Sequence, residues 1–425
     1  MRKIIEVDNS IWDKGIDVWK SILNYRKETK NPTKSQIAYF ELYIKYLERL
    51  KLARSKGEFI VAHATTVPAE IFYAMDMVPI LLVGTCFAIT QCIKEYPKAM
   101  QISRQYGIAE EICGAHKNII AHCVEGWLPR PNVFVDVGGG CDAFANSMKI
   151  GADLYGVPHF QVDTPYYKNQ KSMAYLVSEF KKLIDFLEEQ GGRKMNWDKL
   201  SISMIYSQKM LELWWEVREL RKAFPSPMDN RRAWETNWIN WFFAGTPEGV
   251  YYWEVLRDEL CERIRAGVGA YPKVKEKHRL LDLFMAPAWD LQILEWMQQE
   301  HGANIVMEGL IQYERGFEMD PNHPLESMAK RWYYGPLMNV LQGPTEYYIQ
   351  NIIPQVEEFK PNGAIWWDGF SCRQAGAIQP VAKALEKLGI PIVRVKCDAT
   401  DPAFVTREEM RRQLSDFFEL LDFKN

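Results

Sequence analysis

The sequence predicts an α/β protein with two doubly wound parallel-sheet domains, a helical N-terminal extension and a helical middle section. Three observations lead to this prediction. Apolar runs of strand length alternate with helical segments in two separate series. A long stretch of helical periodicity separates the two series. The chain has 425 residues, which is more than one hydrophobic core usually accommodates.

Four parts follow from these patterns. They are a helical N-terminal extension at 1–56, an α/β domain at 57–166, a helical middle section at 167–268 and a C-terminal α/β domain at 269–425. The extension carries apolar residues at helical spacing, and we expect a break at Asn31-Pro32. The middle section is helical throughout and is punctuated by Pro225, Pro227 and Pro247.

The first α/β series begins with EFIVAHA, which predicts a strand, and a helix follows from Pro68. We expect the next strand to end near Gly84. Two further strands are predicted at 132–138 and 159–163, with a helix over 142–155 between them. The second series predicts strands at 279–286, 303–309, 363–369 and 391–397.

Composition and charge exclude several classes of function. Acidic residues outnumber basic ones, 55 to 52, and the net charge of −3 gives no support to nucleic-acid binding. No run of 18 or more apolar residues predicts a membrane span. The N-terminal sequence lacks the apolar stretch of a signal peptide, so we expect a cytoplasmic protein.

The chain contains eight cysteines, which we do not expect to form disulfides in the reducing cytoplasm. No two of them form a C-x-x-C pair. Any single cysteine is explained equally well as a functional thiol and as a small buried apolar residue. Five of them cluster between Cys86 and Cys141, which favours a shared role for that group. The eight are Cys86, Cys92, Cys113, Cys123, Cys141, Cys261, Cys372 and Cys397.

Several of these thiols follow predicted strands or begin predicted helices. Cys86, Cys141 and Cys397 come at or just after strand ends, whereas Cys113 and Cys372 lie near helix starts. Ligands of doubly wound sheets bind at the carboxyl ends of strands, and a helix N-terminus favours thiolate over thiol. The positions therefore suit an iron–sulfur cluster. Zinc is an alternative, although its structural sites usually contain closely spaced cysteine pairs.

A glycine run precedes Cys141 and raises the possibility of a dinucleotide-binding loop. The run lacks the G-x-G-x-x-G form, which argues against that interpretation. We predict instead that Gly139 and Gly140 let the backbone approach an inorganic cofactor closely.

Four segments resemble motifs of the 2-hydroxyacyl-CoA dehydratases and benzoyl-CoA reductases. They are TVPAEIFYAMDMVPI, EICGAHKN, PNVFVDVGGGCDAF and DGFSCRQAGAIQPVAKALEKLGIPIVRVKCDATDP. The resemblance covers about residues 57 to 420, and it makes residues 57–166 a cluster-binding domain. It implies that Cys113, Cys141 and Cys372 bind a [4Fe–4S] cluster with one iron left open. It also implies an oxygen-sensitive reductase that receives low-potential electrons from a separate ATP-hydrolysing iron–sulfur activator.

The chain differs from the common family pattern by its additional cysteines. With Cys86, Cys123 and Cys397 as further ligands, it resembles the branch of double-cubane cluster proteins. That branch implies a homodimer that reduces small unsaturated molecules at an [8Fe–9S] cluster, and we favour this interpretation. Cys92 is an alternative to Cys86 or Cys397 as a ligand, and Cys261 is interpreted as packing.

Two other functions remain open at this point. The first is a subunit of a 2-hydroxyacyl-CoA dehydratase or benzoyl-CoA reductase with a single [4Fe–4S] cluster. The second is a non-catalytic cluster or zinc-binding protein. For an enzyme, His116, His122 and Glu70 are the candidate catalytic residues, because they flank the predicted cluster loops. A structural role explains each histidine at least as well, and for Glu70 support of its loop is the favoured interpretation.

Overall fold

Two four-stranded parallel sheets form the framework of the described residues in this computed structural model, which describes residues 5–29, 32–369 and 371–424. The strands are β1 (Ile60–His63), β2 (Val78–Leu81), β3 (Val133–Val137), β4 (His159–Val162), β5 (His278–Asp282), β6 (Ala303–Glu308), β7 (Gly363–Gly369) and β8 (Ile392–Cys397). The orders are β2-β1-β3-β4 and β6-β5-β7-β8, so both sheets have the same topology. The predicted α/β class with two parallel sheets is confirmed.

Helices cover both sheets, and the inner strands are buried, whereas the edge strands β4 and β8 are partly exposed. Every residue of β1, β3 and β6 is buried, which explains why the sequence of each strand is almost entirely apolar. The α-helices of the first half are α1 (Ser10–Lys27), α2 (Lys34–Ala53), α3 (Ala69–Ala74), α4 (Leu82–Ile93), α5 (Tyr96–Gln105), α6 (Gly114–Val124), α7 (Asp142–Tyr155), α8 (Gln170–Gly191) and α9 (Trp197–Leu220).

The second half continues the same pattern. Its α-helices are α10 (Asn230–Phe242), α11 (Pro247–Arg265), α12 (Gln292–His301), α13 (Pro324–Tyr333), α14 (Thr345–Phe359), α15 (Ile378–Glu386) and α16 (Arg407–Lys424). Of the predicted break at Asn31-Pro32, Asn31 lies outside the described residues. The four domain boundaries stay a prediction. Within the described residues, none of the helices combines the length and the apolar character that crossing a membrane requires.

Two predicted strands end earlier than expected: β5 ends at Asp282 and not at 286, and the early end of β2 changes the position of a candidate ligand. β2 ends at Leu81, and α4 begins at the next residue. The apolar run continues unbroken from strand into buried helix, and an unbroken apolar run does not distinguish these two structures. Cys86 therefore lies inside α4 with its side chain fully buried, and not in a loop beyond a strand.

Helix α10 connects the second sheet to the cleft between the sheets. At its start, the Asn230 side chain donates hydrogen bonds to the carbonyl oxygens of Leu294 and Ala303 and accepts one from the Ile305 amide. At its other end, the Phe242 ring packs edge-on against the Tyr43 ring of α2. Trp238 and Trp241, near this end of α10, are thereby held at the cleft.

Candidate functional site

A cavity of about 180 Å³ lies where the two sheets face each other. It is lined by the segments that follow β1, β3, β5 and β7. The strand order reverses between β1 and β3 in the first sheet and between β5 and β7 in the second, and such switch points are where doubly wound folds bind ligands. The cavity therefore occupies the predicted position for a site.

Four of the six candidate ligand thiols line this cavity, and two do not. Cys113, Cys141, Cys372 and Cys397 line it. Cys86 and Cys123 are fully buried in the core behind the first sheet, and the Cys123 sulfur packs closely over Gly151 of α7. Cys92 is also absent from the cavity lining, and it lies in α4 with Cys86.

Three of the four cavity thiols occupy the position that caps a helix. Cys113 precedes α6, Cys141 precedes α7, and Cys372 precedes a short 3-10 helix at Arg373–Ala377. None of these sulfurs accepts a well-aligned hydrogen bond from its helix. Backbone N–H groups nevertheless face each sulfur and act to lower its pKa. The helix starts therefore direct three sets of N–H groups toward one cavity.

Burial outweighs this effect, contrary to the sequence-based expectation of thiolates. It raises the pKa of Cys113 and of Cys397 well above the usual value, and it raises the pKa of Cys372 to about 11. The pKa of Cys141 is also raised by burial, with backbone N–H groups and Arg373 opposing the shift. The thiolates would thus require a bound cation for their stabilisation.

The four cavity thiols form a donor set of the kind that binds metal. After burial, charge on a neighbouring thiol is a further cause that raises the pKa: Cys372 and Cys141 act on Cys113, and Cys372 acts on Cys397. Within residues 5–29, 32–369 and 371–424, no three ligand-type side chains converge closely enough to hold a single metal ion. Several thiols around one shared cavity are the donor type that iron–sulfur clusters use, and thiolates also bind zinc.

His116 is the candidate catalytic residue that lies at the cavity. Its Nε2 is 3.5 Å from the Cys141 sulfur, and its ring stacks on Phe144. Its Nδ1 is buried and has no hydrogen-bond partner among the described residues. Burial lowers the pKa of His116 to about 4, so the imidazole is neutral at neutral pH.

The structure does not bring His122 to the cavity. His122 and His116 are six residues apart on α6, which places them on different sides of the helix. The His122 Nε2 lies 2.8 Å from the Thr90 hydroxyl, and the ring packs edge-on against Trp127. Burial lowers the pKa of His122 to about 3. These contacts support a structural role.

Glu70 is likewise absent from the cavity, and both of its oxygens are engaged. Arg331 forms a two-point ion pair with it, with Nη2 and Oε2 at 2.9 Å, and Ser207 donates a 2.7 Å hydrogen bond. Burial opposes ionisation of this carboxyl, but the ion pair and the hydrogen bonds outweigh it and lower the pKa of Glu70. Glu70 is an ionised side chain that joins α3 to α13 and α9.

The two glycines before Cys141 serve different purposes. Gly140 lines the cavity, and a Cβ atom there would meet no other group. Gly139 has a φ of +80°, and its Cβ would lie 2.8 Å from the Gln342 amide nitrogen. Arg373 donates 2.6 Å hydrogen bonds from Nη1 to the carbonyl oxygens of both glycines. The glycine loop is therefore tied to the second half of the chain.

Sequence reasoning missed two polar residues that connect the first sheet's loops to the second sheet's loops at the cavity. Arg373 is one of them, and Asp398 is the other. The Asp398 carboxylate accepts a 3.1 Å hydrogen bond from the Gly114 amide, next to Cys113. A Cβ at Gly114 would lie 2.0 Å from this carboxylate. Both residues directly follow a candidate ligand cysteine in the sequence, and that adjacency was the available signal.

The remaining walls of the cavity are largely apolar and aromatic. Rings from five separate segments line it: Phe144, Trp238, Phe284, Trp367 and Phe87. Trp238 and Trp367 are almost completely buried. A cavity of this kind excludes water and accepts an apolar group beside the thiols.

Comparison with known proteins gives one family and several distant relatives. The family model described as "2-hydroxyglutaryl-CoA dehydratase, D-component" matches residues 64–421. A benzoyl-CoA reductase subunit from Thauera aromatica is 25% identical, over 92% of this chain and 95% of that protein. The (R)-phenyllactyl-CoA dehydratase alpha subunit from Clostridium sporogenes is 24% identical, over 82% and 86%. The lactoyl-CoA dehydratase alpha subunit from Anaerotignum propionicum is 21% identical, over 73% and 74%.

Proposed function

The chain belongs to the 2-hydroxyglutaryl-CoA dehydratase D-component family, and from this we propose that it is the iron–sulfur subunit of an acyl-CoA reductase or dehydratase. The observation that carries the proposal is the presence of four thiols around one apolar cavity at the switch points of both sheets. The relatives named above are subunits of a benzoyl-CoA reductase and of two acyl-CoA dehydratases.

The proposed ligands are Cys113, Cys141 and Cys372, with Cys397 as a fourth thiol beside them. This set supports a single [4Fe–4S] cluster, which was the alternative to the favoured double-cubane cluster. The six-ligand interpretation requires Cys86 and Cys123 at the same site, and both lie in the core. When bound, the cluster supplies single electrons at low potential.

The side chains around the thiols have three tasks in this proposal. The aromatic walls, including Trp238 and Trp367, exclude water and hold the acyl group against the thiol side of the cavity. Arg373 and Asp398 hold the halves together across the site. His116 donates a hydrogen bond from Nε2–H to the Cys141 thiolate, which leaves Nδ1 of the neutral ring as an acceptor.

The acyl group of the substrate is proposed to be apolar. Two of the named relatives act on the benzoyl and phenyllactyl esters of coenzyme A, which carry aromatic rings. The ring-lined cavity matches such a group in character, because apolar and aromatic surfaces exclude water when they pack together.

Electrons are proposed to come from a separate ATP-hydrolysing iron–sulfur activator. The sequence contains no G-x-x-x-x-G-K-[ST] loop with which to bind ATP itself. The relatives are named as subunits, so a second subunit is also proposed, either another copy of this chain or a related chain.

Anaerobic purification followed by quantification of iron and sulfide tests this proposal. About four irons and four sulfides per chain are expected, with turnover of an aryl-CoA ester that requires activator, ATP and a strong reductant. Zinc without iron would refute the iron–sulfur proposal. About eight irons per chain would favour the double-cubane cluster, and steady turnover with a mild donor alone would refute the activator requirement.

A further inference from the structure

The loop at residues 138–141, here called the glycine loop, has the carbonyl oxygens of all three glycines in hydrogen bonds. The Thr164 hydroxyl donates to the carbonyl oxygen of Gly138. Arg373 donates from Nη1 to those of Gly139 and Gly140, at 2.6 Å each. The peptide bonds of this loop are trans, and in a trans peptide unit the N–H points away from the C=O. The three hydrogen bonds therefore also fix the directions of the N–H groups that follow these carbonyls.

Those N–H groups belong to Gly139, Gly140 and Cys141, and they are unpaired. None of the three has a hydrogen-bond acceptor among the residues that the structure describes. Gly140 and Cys141 line the cavity at the switch points. Backbone N–H groups away from bulk water normally pair with an acceptor, and a charged sulfur in this cavity would be such an acceptor.

Gln342, from the segment between β6 and β7, holds the glycine loop in this arrangement. Its side chain is buried, and its Nε2 donates hydrogen bonds of 2.9 and 3.1 Å to the carbonyl oxygens of Thr164 and Pro165. Its Oε1 lies against the same Thr164 hydroxyl that donates to Gly138, so one hydroxyl proton is shared between two oxygens. A Cβ at Gly139 would lie 2.8 Å from Nε2. The Gln342 amide thus packs against the loop and also orients the hydroxyl that binds it.

Gln342 is itself fixed by the segment that carries another cavity thiol. It follows the π-helical turn Leu337–Leu341, which contributes to the cavity wall. Gln374, two residues after Cys372, donates a 2.6 Å hydrogen bond to the carbonyl oxygen of Val340 in that turn. Single π-helical turns are frequent at functional sites. The position of Gln342 therefore couples the Cys372 segment to the glycine loop.

From these contacts we infer that Gln342 is a positioning residue that directs the N–H groups of Gly140 and Cys141 at the sulfur atoms of the cluster. The inference rests on the proposed function for the presence of the cluster. Hydrogen bonds from N–H groups stabilise the negative charge that a cluster gains with an electron, so they raise its reduction potential. When the Gln342 amide is removed, the loop can turn, and these hydrogen bonds weaken.

Redox titration of the full-length, iron-loaded protein, followed by electron paramagnetic resonance, tests this inference. Gln342→Met keeps an uncharged side chain of similar length and removes the amide, so it should lower the reduction potential at unchanged iron content. The couplings of exchangeable protons to the reduced cluster, detected by exchange into D2O, should weaken in the same variant. The matched control is Gln355→Met, because Gln355 is also buried but donates only to the Asn351 carbonyl oxygen of its own helix. It should change neither readout.

A pair of variants at Thr164 tests the same contacts from the first sheet. Thr164→Val removes the hydroxyl at similar shape and should lower the reduction potential. Thr164→Ser keeps the hydroxyl and should retain the potential of the wild type. This pair decides the question if Gln342→Met does not retain its iron.

Three results would overturn the inference. They are an unchanged potential in iron-loaded Gln342→Met, a shift of the same size in Gln355→Met, and equal potentials in the two Thr164 variants. A wild-type protein without iron would refute the proposed function and this inference with it. Any of the three results in proteins that contain iron would refute only the positioning role.

Discussion

Replacing Cys123 and Cys397 separately tests how the thiols divide between the core and the cavity. Both side chains are buried almost completely, with exposed fractions of 0% and 2%. Truncation to alanine removes one sulfur atom from a packed environment in each case. The packing cost should therefore be similar in the two variants, at about 1 kcal/mol of the free energy of unfolding.

Only one of the two substitutions should affect the metal. The Cys123 sulfur packs over Gly151, away from the cavity, so Cys123→Ala should retain the full iron content. The Cys397 sulfur lines the cavity at the end of β8, next to Asp398. Cys397→Ala should therefore lower the iron content or change the spectrum of the reduced cluster, without unfolding the chain.

The assay compares each variant with the wild type after anaerobic purification. Iron and sulfide are quantified, the reduced cluster is examined by electron paramagnetic resonance, and stability is measured by urea unfolding. Cys261→Ala, a partly buried position on α11, is the matched control and should change none of the metal readouts.

Two outcomes would refute this reasoning. Loss of about half of the iron in Cys123→Ala would show that the buried thiol binds metal, and it would restore the six-ligand double-cubane interpretation. An unchanged iron content and spectrum in Cys397→Ala would show that this fourth thiol does not act on the cluster.

Three further predictions follow from the contacts around the cavity. Glu70→Gln should lower the free energy of unfolding at neutral pH, measured by urea unfolding. Because the pKa of Glu70 is lowered in the folded state, its stabilising contribution is complete above the unfolded-state pKa of 4.5 and declines as the pH falls below that value. The variant should lack this decline. Gly114→Ala should displace the Asp398 carboxylate from the amide beside Cys113 and lower the iron content, because the added Cβ would lie 2.0 Å from that carboxylate. Gly376→Ala, where a Cβ meets nothing within 4 Å, should have little effect, and equal iron in the two variants would contradict this. His116→Gln should shift the reduction potential of the cluster, measured by redox titration, and a shift of the same size in His122→Gln would contradict the assignment of only one histidine to the site.

The sequence alone predicted the alternation of strands and helices and most of their positions. The strand over 363–369 and the helix over 142–155 occur where the sequence predicts them. Parallel strands covered on both faces must be apolar throughout, and the helices between them must keep their own period, so both patterns are readable locally. For the same reason, the sequence placed Cys141 just after a strand and Cys113 near a helix start, and in the structure both directly precede helices.

The tertiary structure alone decided which of the remaining cysteines reach the cavity. Cys86 lies in an apolar run that is equally typical of a strand and of a buried helix, and Cys123 lies on a helix whose rotation depends on its packing against α7. Arg373 and Asp398 contact residues more than 200 positions away. Local periodicity carries no information about contacts of that range, because they depend on how the two sheets face each other. The packing of the two sheets against each other therefore decides which side chains line the cavity.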